Sequence, residues 1–355
     1  MPDLKGIRDK IDRLDIRILE LLDSRVELAA AIWKIKSKKG RPVLDPNREA
    51  AIIAKLKKLD KRLPDKSVES IFKEIFSAIR ATQKKISVAY LGPAGTFTHE
   101  AALKIFGAAS DYIPLKGWEP VSKEVETGRA DYGVLPIENS IEGSVNLTLD
   151  LLQESPLNIF GETSLPIHHN LVSRAGSIKS IKKLYSHPQP LSQCRKFLLQ
   201  ALPNVKVEET FSTAAAAEKA AKHGKGSAAL SSLVAAHNYE LNVLKRSVED
   251  FPNNVTRFVV LSYQLAERTG SDRTSIAVTT SNRPGTLYKL LGFFNERKIN
   301  LTKIVSRPIP RATWGYLFYI DFEGHRDDKK VSDILKQIAR RTDNLKVLGS
   351  YPKES

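Results

Sequence analysis

Apolar residues recur in steps of four and three along the first part of the chain: Ile7, Ile11, Leu14, Ile18, Leu21, Leu28, Ile32 and Ile35. That period predicts one amphipathic helix over about 4–39, closed by Gly40-Arg41-Pro42. A helix of this span is ~54 Å long at 1.5 Å per residue. Two shorter helices cannot cover it, so its apolar seam is expected to pack against another chain. Arg25 interrupts the seam at a place the pattern reserves for a hydrophobe. A second helix is predicted from Asp45-Pro46, an N-cap followed by proline, to about Leu59, and a third from near Ser67 to near Gln83.

The texture changes at residue 86. Short apolar runs (SVAYLG, DYGVLPI, KLYSHP) then alternate with helical stretches over 98–106, 145–153 and 190–200, which is an α/β pattern. The late run NNVTRFVVLS returns to strand, so two sub-lobes with a cleft between them are expected. Residues 271–355 follow a β-α-β-β-α-β order, that of a ferredoxin-like module. The polar stretch AERTGSDR (266–273) is read as the linker before it. The predicted fold class is multidomain: an all-α bundle (1–85), a two-lobed α/β domain (86–265) and an α+β ferredoxin-like domain (271–355).

Composition narrows the setting. The single cysteine, Cys194, rules out an intrachain disulfide, and a reducing cytosol is expected. The N-terminus is charged, and no apolar run approaches the ~18 residues of a membrane span. A net charge of +16 invites a nucleic-acid partner. Residues 1–85 hold 22 Lys/Arg against 13 Asp/Glu, a surplus of nine. The alternative reading is therefore a ligand-responsive regulator with a basic helical DNA-binding head. A DNA reader carries its cations on the solvent face, whereas Arg25 and Gln83 continue apolar stripes, and this argues for no nucleic acid.

Arg25 has company. Lys36 lies three turns on, Gln83 extends the Ile75–Ile79 stripe, and Arg48 and Glu49 follow the cap at Asp45. Such an interior is net cationic, and unpaired buried cations are costly, so an anion is expected to fill it. Arg8 sits ~25 Å up the helix from Arg25 and can reach that anion only from an antiparallel partner. The segments LKGIRDKIDRLDIRILELLDSRVELAAAIWKIK and RPVLDPNREAAI resemble the all-helical (AroQ-type) chorismate mutases, which are intertwined dimers. The resemblance implies that Arg25 and Arg48 bind carboxylates and that Lys36 and Gln83 bond the ether oxygen. It also implies that Asp45 and Glu49 orient these groups and bind the ring hydroxyl, and that Arg8 comes from the other protomer. Ile79 is a departure, since the best-known member of that family has a serine there.

In the α/β region, small and hydroxyl residues gather where strands meet helices: GPAGTFTHEAA, PIENSIEGSV, SHPQPLSQC and FSTAAAAEKA. Free amides at helix starts suit a small anion. No phosphate-loop or dinucleotide fingerprint is present. His168, His169 and His187 lack partners at metal-ligand spacing, so no metal or cofactor is expected; His99 and His187 are candidates for the cleft wall. These stretches, with NVTRFVVL, resemble prephenate dehydratase over 86–265. The resemblance makes Thr256 the catalytic donor and implies a substrate site from Glu138, Asn139, Ser140, Ser144, Gln193, Ser212, Arg257 and Phe258. Arg257 either binds a carboxylate or faces away from the sheet.

The last region resembles an ACT domain, a small-molecule sensor. NRPGTLYKLL and NLTKIVSRP occupy its two phenylalanine-binding motifs, which implies effector contacts from Asn282, Gly285, Leu287, Ser306 and Arg307. Thr286, Val305 and Gly315 depart from the usual motif residues. Together the resemblances imply that chorismate is converted to prephenate and prephenate to phenylpyruvate. Phenylalanine is the expected effector, and the chain is expected to be a cytoplasmic homodimer or larger homo-oligomer without membrane contact.

Overall fold

The computed structural model describes residues 3–38, 42–59, 61–281, 283–308 and 316–354. The chain divides into two compact units: Met1–Ile86 with Phe106–Asp111, and Ser87–Ile105 with Tyr112–Ser355. Among the described residues, no helix is long and apolar enough to cross a membrane.

The first unit is helical: α1 (Leu4–Lys38), α2 (Pro46–Lys57) and α3 (Asp65–Gln83). Asp45 caps α2 as its spacing predicts, its side chain accepting from the Arg48 amide, with Pro46 at the first turn. α3 buries Val68, Phe76 and Ile79. α1 buries nothing in a single chain, and its seam is exposed from 42% at Ile7 to 68% at Leu21 and Leu28.

The second unit opens with β1 (Ser87–Leu91), α4 (Phe97–Phe106), β2 (Asp111–Leu115), α5 (Trp118–Glu126), β3 (Tyr132–Asn139), β4 (Gly143–Ser144), α6 (Asn146–Glu154) and β5 (Asn158–Pro166). A second lobe follows: β6 (Asn170–Ser173), β7 (Lys183–Ser186), α7 (Pro188–Gln193), α8 (Arg195–Ala201), β8 (Lys206–Glu209), α9 (Thr213–His223), β9 (Ser227–Ser231), α10 (Leu233–Asn238) and β10 (Asn242–Lys245). The chain then returns as β11 (Val255–Ser262), which inserts between β3 and β5, antiparallel to both. The first sheet thus runs β2-β1-β3-β11-β5, and the second runs β10-β6-β9-β7-β8. Two crossings join the lobes, one after β5 and one before β11. On the second sheet α9 presents Ala214, Ala216, Ala217 and Ala220, all fully buried, and these small side chains let the helix lie close. The helix expected over 190–200 is instead two short ones meeting at Cys194.

The chain ends in β12 (Asp272–Thr280), α11 (Thr286–Glu296), β13 (Leu301–Pro308), β14 (Tyr316–Glu323), α12 (Lys329–Arg341) and β15 (Asn344–Pro352), with strand order β13-β14-β12-β15. This is the ferredoxin-like order. The linker is shorter than its composition suggests, because Asp272 already belongs to β12 and accepts from the Thr269 and Gly270 amides. One face of this sheet is apolar and packs Ile276, Val278, Phe318, Ile320 and Phe322 under the two helices. Strand alternation sends Ser275, Tyr319 and Asp321 to the other face, which lies on the first lobe. Gly349 of β15 meets the Ile159 backbone of β5 where a Cβ would clash.

α6 is gripped from that face. Lys346 Nζ donates to the carbonyls of Leu152, Gln153 and Ser155 at 2.8, 2.9 and 2.6 Å, satisfying the end of the helix. Tyr319 Oη donates to the Leu149 carbonyl at 2.8 Å. Lys346→Met should destabilise the second unit by about 1–3 kcal/mol, the cost of unpairing buried carbonyls. A urea midpoint equal to that of the unaltered chain would contradict this.

Candidate functional site

A cleft of ≈ 890 Å³ opens between the two lobes of the second unit. Four helices of eight residues or more begin on its wall: α4 at Phe97, α5 behind Gly117, α6 behind Val145 and α9 at Thr213. Their leading amides and dipoles give the cleft a positive lining without many cations, and Lys116 adds one. The Ser212 hydroxyl is occupied in capping α9 through the Ala215 amide, while Ser144 lines the wall beside the α6 start. His187 caps α7 and lines the cleft; His99 sits behind the loop, stacked on Tyr90 and accepting from the Gly95 amide. Burial lowers the pKa of both histidines, so they are neutral acceptors. Gly95 has φ +89 and lies against the Ala235 backbone, so this loop tolerates no side chain there.

At the cleft floor, Thr256 and Phe258 of β11 face inward. Thr256 Oγ1 is 2.8 Å from Asn139 Nδ2, and the same Nδ2 is 2.7 Å from Asn254 Oδ1. Asn139 Oδ1 accepts from the Ile141 and Glu142 amides at 3.0 and 3.1 Å. Asn254 Nδ2 reaches Gln193 Oε1 at 3.3 Å, which also meets His169 Nε2 at 3.0 Å. All five side chains are buried. Burial is also the main cause that lowers the His169 pKa, so this ring is neutral. Gln193, a predicted substrate ligand, therefore stands behind His169 rather than on the cleft wall. Ser140 is also withdrawn, its hydroxyl exchanging bonds with the Asn253 carbonyl and the Val255 amide. Asn254 was not singled out by the sequence, and His169 was weighed there only as a metal ligand. Both sit on the lobe crossings, where neither helical nor strand period marks them.

Two predicted substrate residues are turned away from the cleft. Strand period two places Arg257 opposite its neighbours Thr256 and Phe258. Its guanidinium bonds Asp321 at 2.6 Å and Glu162 at 3.0 Å, with Glu138 at 3.1 Å. Arg273 joins Glu162 at 2.7 Å and Lys303 approaches Glu138 at 3.4 Å. Three acids and three bases thus balance on the face covered by the ferredoxin-like sheet. Burial opposes charge on Arg257, but Tyr351, Asp321 and Glu162 outweigh it and raise its pKa. Arg257 and Glu138 therefore belong to an ion cluster behind the sheet, and carboxylate binding by Arg257 is the reading the geometry disfavours.

In the first unit, Lys36 Nζ donates to Asp45 Oδ2 at 2.7 Å. Burial pushes the Asp45 carboxyl up, but bonds from Lys36 and the Arg48 amide outweigh it and hold its pKa below the ordinary value. Arg80, buried on α3, donates to Glu49. Glu49 is nevertheless held above its ordinary pKa, chiefly by burial. The Arg25 guanidinium lies 4.9 Å from the Phe76 ring centroid, and burial lowers its pKa. Arg25, Lys36, Asp45, Glu49 and half-buried Gln83 thus come from all three helices, with exposed Arg48 at the rim. Arg8 is exposed at the far end of α1 and does not join them within one chain. Arg80 is the residue the sequence reading missed. Four places after Phe76, it continues a buried stripe.

In the ferredoxin-like part, Gly285 starts α11 at φ +82, and Leu287 and Ser306 are exposed. Arg307 alternates away from Ser306 and its Nη2 meets Asp150 of α6 at 2.6 Å, so it does not share their face. Asn282 and Gly315 lie outside the described residues.

Three family profiles match in order: Chorismate mutase type II over 7–84, Prephenate dehydratase over 88–265 and ACT domain over 274–340. A bifunctional chorismate mutase/prephenate dehydratase of Aquifex aeolicus is 46% identical over 99% of both chains. Among solved structures, prephenate dehydratase of Arthrobacter aurescens in complex with L-Phe has a TM-score of 0.70 and 36% identity, covering 76% of this chain and 90% of that one. A protein described as a novel type of quorum quenching acylase has a TM-score of 0.69 and 27% identity, covering 76% and 98%. Full-length similarity and the order of the three profiles settle the matter: the chain belongs to the bifunctional chorismate mutase/prephenate dehydratase family, with a C-terminal ACT domain.

Proposed function

We propose that the helical unit rearranges chorismate to prephenate and that the interlobe cleft turns prephenate into phenylpyruvate. The observation that carries the second half is the Thr256 hydroxyl, presented on a cleft floor ringed by helix N-termini. Prephenate is a dicarboxylate, which those dipoles suit. In the reaction the bond from ring to carboxylate breaks, its electrons enter the ring, and hydroxide leaves from the opposite carbon. Carbon dioxide and hydroxide are the by-products, the hydroxide taking up a proton from solvent, and aromatisation drives the step. Thr256 donates a hydrogen bond to the departing oxygen, where negative charge develops. Phe258 supplies an apolar wall for the ring.

The first reaction moves no proton and uses no nucleophile. Arg25 and Arg48 hold the carboxylates of the folded conformer, while Lys36 and Gln83 donate to the ether oxygen as its bond breaks. Asp45 keeps Lys36 in place. Arg8 completes the site from a second protomer, and the bare seam of α1 is what that protomer covers, making the chain a homodimer or larger assembly.

Phenylalanine binds at the end of the ACT domain that carries Gly285, Leu287 and Ser306. Its binding reaches the cleft through Arg307, which is seated on Asp150 midway along α6, the helix that begins beside Ser144.

The reading is tested by feeding purified protein chorismate, then prephenate. Arg25→Ala should lower mutase kcat/KM by about 3 kcal/mol, roughly 10²-fold, and spare turnover of supplied prephenate. Thr256→Ala should do the reverse. Mutase turnover undiminished in the first, or dehydratase turnover undiminished in the second, contradicts that half. For the effector path, Asp150→Ala should keep the uninhibited dehydratase rate and lose most of its inhibition by phenylalanine. An inhibition curve matching the unaltered enzyme contradicts that path.

A further inference from the structure

The orientation of the Asn139 carboxamide is dictated by its surroundings. Two backbone N–H groups, those of Ile141 and Glu142, point at one of its side-chain atoms, and only an oxygen can accept them. The other atom is therefore the nitrogen. Its two hydrogens have two takers, Asn254 Oδ1 and Thr256 Oγ1. An amide has two donors and two acceptor sites, and here all four are filled. Asn139 lines the cleft yet has nothing left to offer a ligand.

The consequence falls on Thr256. Its oxygen accepts a hydrogen bond from Asn139 Nδ2, and that nitrogen cannot accept one back. Among the described residues, no other side chain bonds Thr256 Oγ1. The Thr256 hydroxyl hydrogen is thus forced toward the cleft. The order continues behind it. Asn254 accepts through Oδ1, so its Nδ2 donates to Gln193 Oε1; that oxygen can take from His169 only an Nε2–H. The chain of bonds puts a proton on His169 Nε2, and with the ring neutral through burial this is the Nε2–H tautomer. It also ties β3, β11 and α7 together across both lobe crossings.

We propose that Asn139 is a positioning residue, not a substrate ligand: it compels Thr256 to act as a donor into the cleft, with Asn254, Gln193 and His169 holding Asn139 in register. The proposal rests on the reading of Thr256 as the donor to the departing oxygen.

Asn139→Asp provides the test. The carboxylate keeps both acceptor contacts to the Ile141 and Glu142 amides but offers Thr256 lone pairs in place of a proton. The Thr256 hydroxyl then turns to it and away from substrate. Dehydratase kcat should fall roughly 10²-fold, the scale of losing one well-placed proton donor, with KM unchanged. Acidification should restore part of the rate, because the protonated carboxyl again has a proton to give, one where the amide had two. The other titratable groups on the cleft wall are Lys116, Glu142, His169 and His187, and the parent enzyme measured over the same pH range accounts for them. In a double-mutant cycle, adding Asn139→Asp to Thr256→Val should cost nothing further.

If Thr256→Val turns over prephenate normally, the reading of Thr256 falls. If Thr256→Val is dead but Asn139→Asp runs at the parent rate, or is slow at every pH, this proposal falls and the reading of Thr256 stands. A measurement on the unaltered protein guards against a variant that does not fold. Both Asn139 Nδ2 protons should exchange slowly with solvent by NMR in the absence of substrate, and rapid exchange of either overturns the proposal.

Discussion

The second unit turns on one side-chain amide. Asn139 ends β3, receives two amide protons from the turn that follows, and spends its own two protons on the chain crossing at Asn254 and on Thr256. A buried amide satisfied at all four positions is rigid, because rotating it would leave at least two buried polar groups unpaired, at about 1–3 kcal/mol each. That rigidity gives a hydroxyl, which alone would rotate freely, a single direction. Threonine is a weak acid, so the donor role proposed for Thr256 depends on such preorganisation and on the positive lining from the helix starts.

The same strand divides two tasks between its faces. Thr256 and Phe258 look into the cleft, and Arg257 looks into a balanced cluster of three acids and three bases against the ACT sheet. Buried ion clusters contribute little net stability but penalise wrong registers, since a misplaced partner leaves a bare buried charge. Cleft floor and sensor face are therefore locked to one backbone. α6 gives a second link, with Lys346, Tyr319 and Arg307 on it at one end and the cleft wall at the other.

What the sequence revealed follows from which physics is periodic. The helix of residues 4–38, the cap at Asp45, the return of β11 and the ferredoxin-like order are all local patterns, and each is present in the structure. Arg25 stood out because it broke a stripe. Arg80 did not, although it continues one, since a charged residue near a helix end reads as solvated. Arg257 was left open in the sequence between binding a carboxylate and facing away, because the choice needed the partners Asp321 and Glu162, far away in sequence. Asn254 went unnoticed, and Gln193 and His169 were given other roles, for the same reason: their parts are defined by each other and by the meeting of two crossings.

Neutron diffraction from deuterium-exchanged crystals of the unaltered enzyme, with an unreactive prephenate analogue in the cleft, addresses the central claim most directly. The account predicts both Asn139 Nδ2 deuterons on Asn254 Oδ1 and Thr256 Oγ1, and the Thr256 deuteron on the analogue's ring oxygen. A Thr256 deuteron directed at Asn139, or an Asn139 nitrogen facing the analogue, would contradict it.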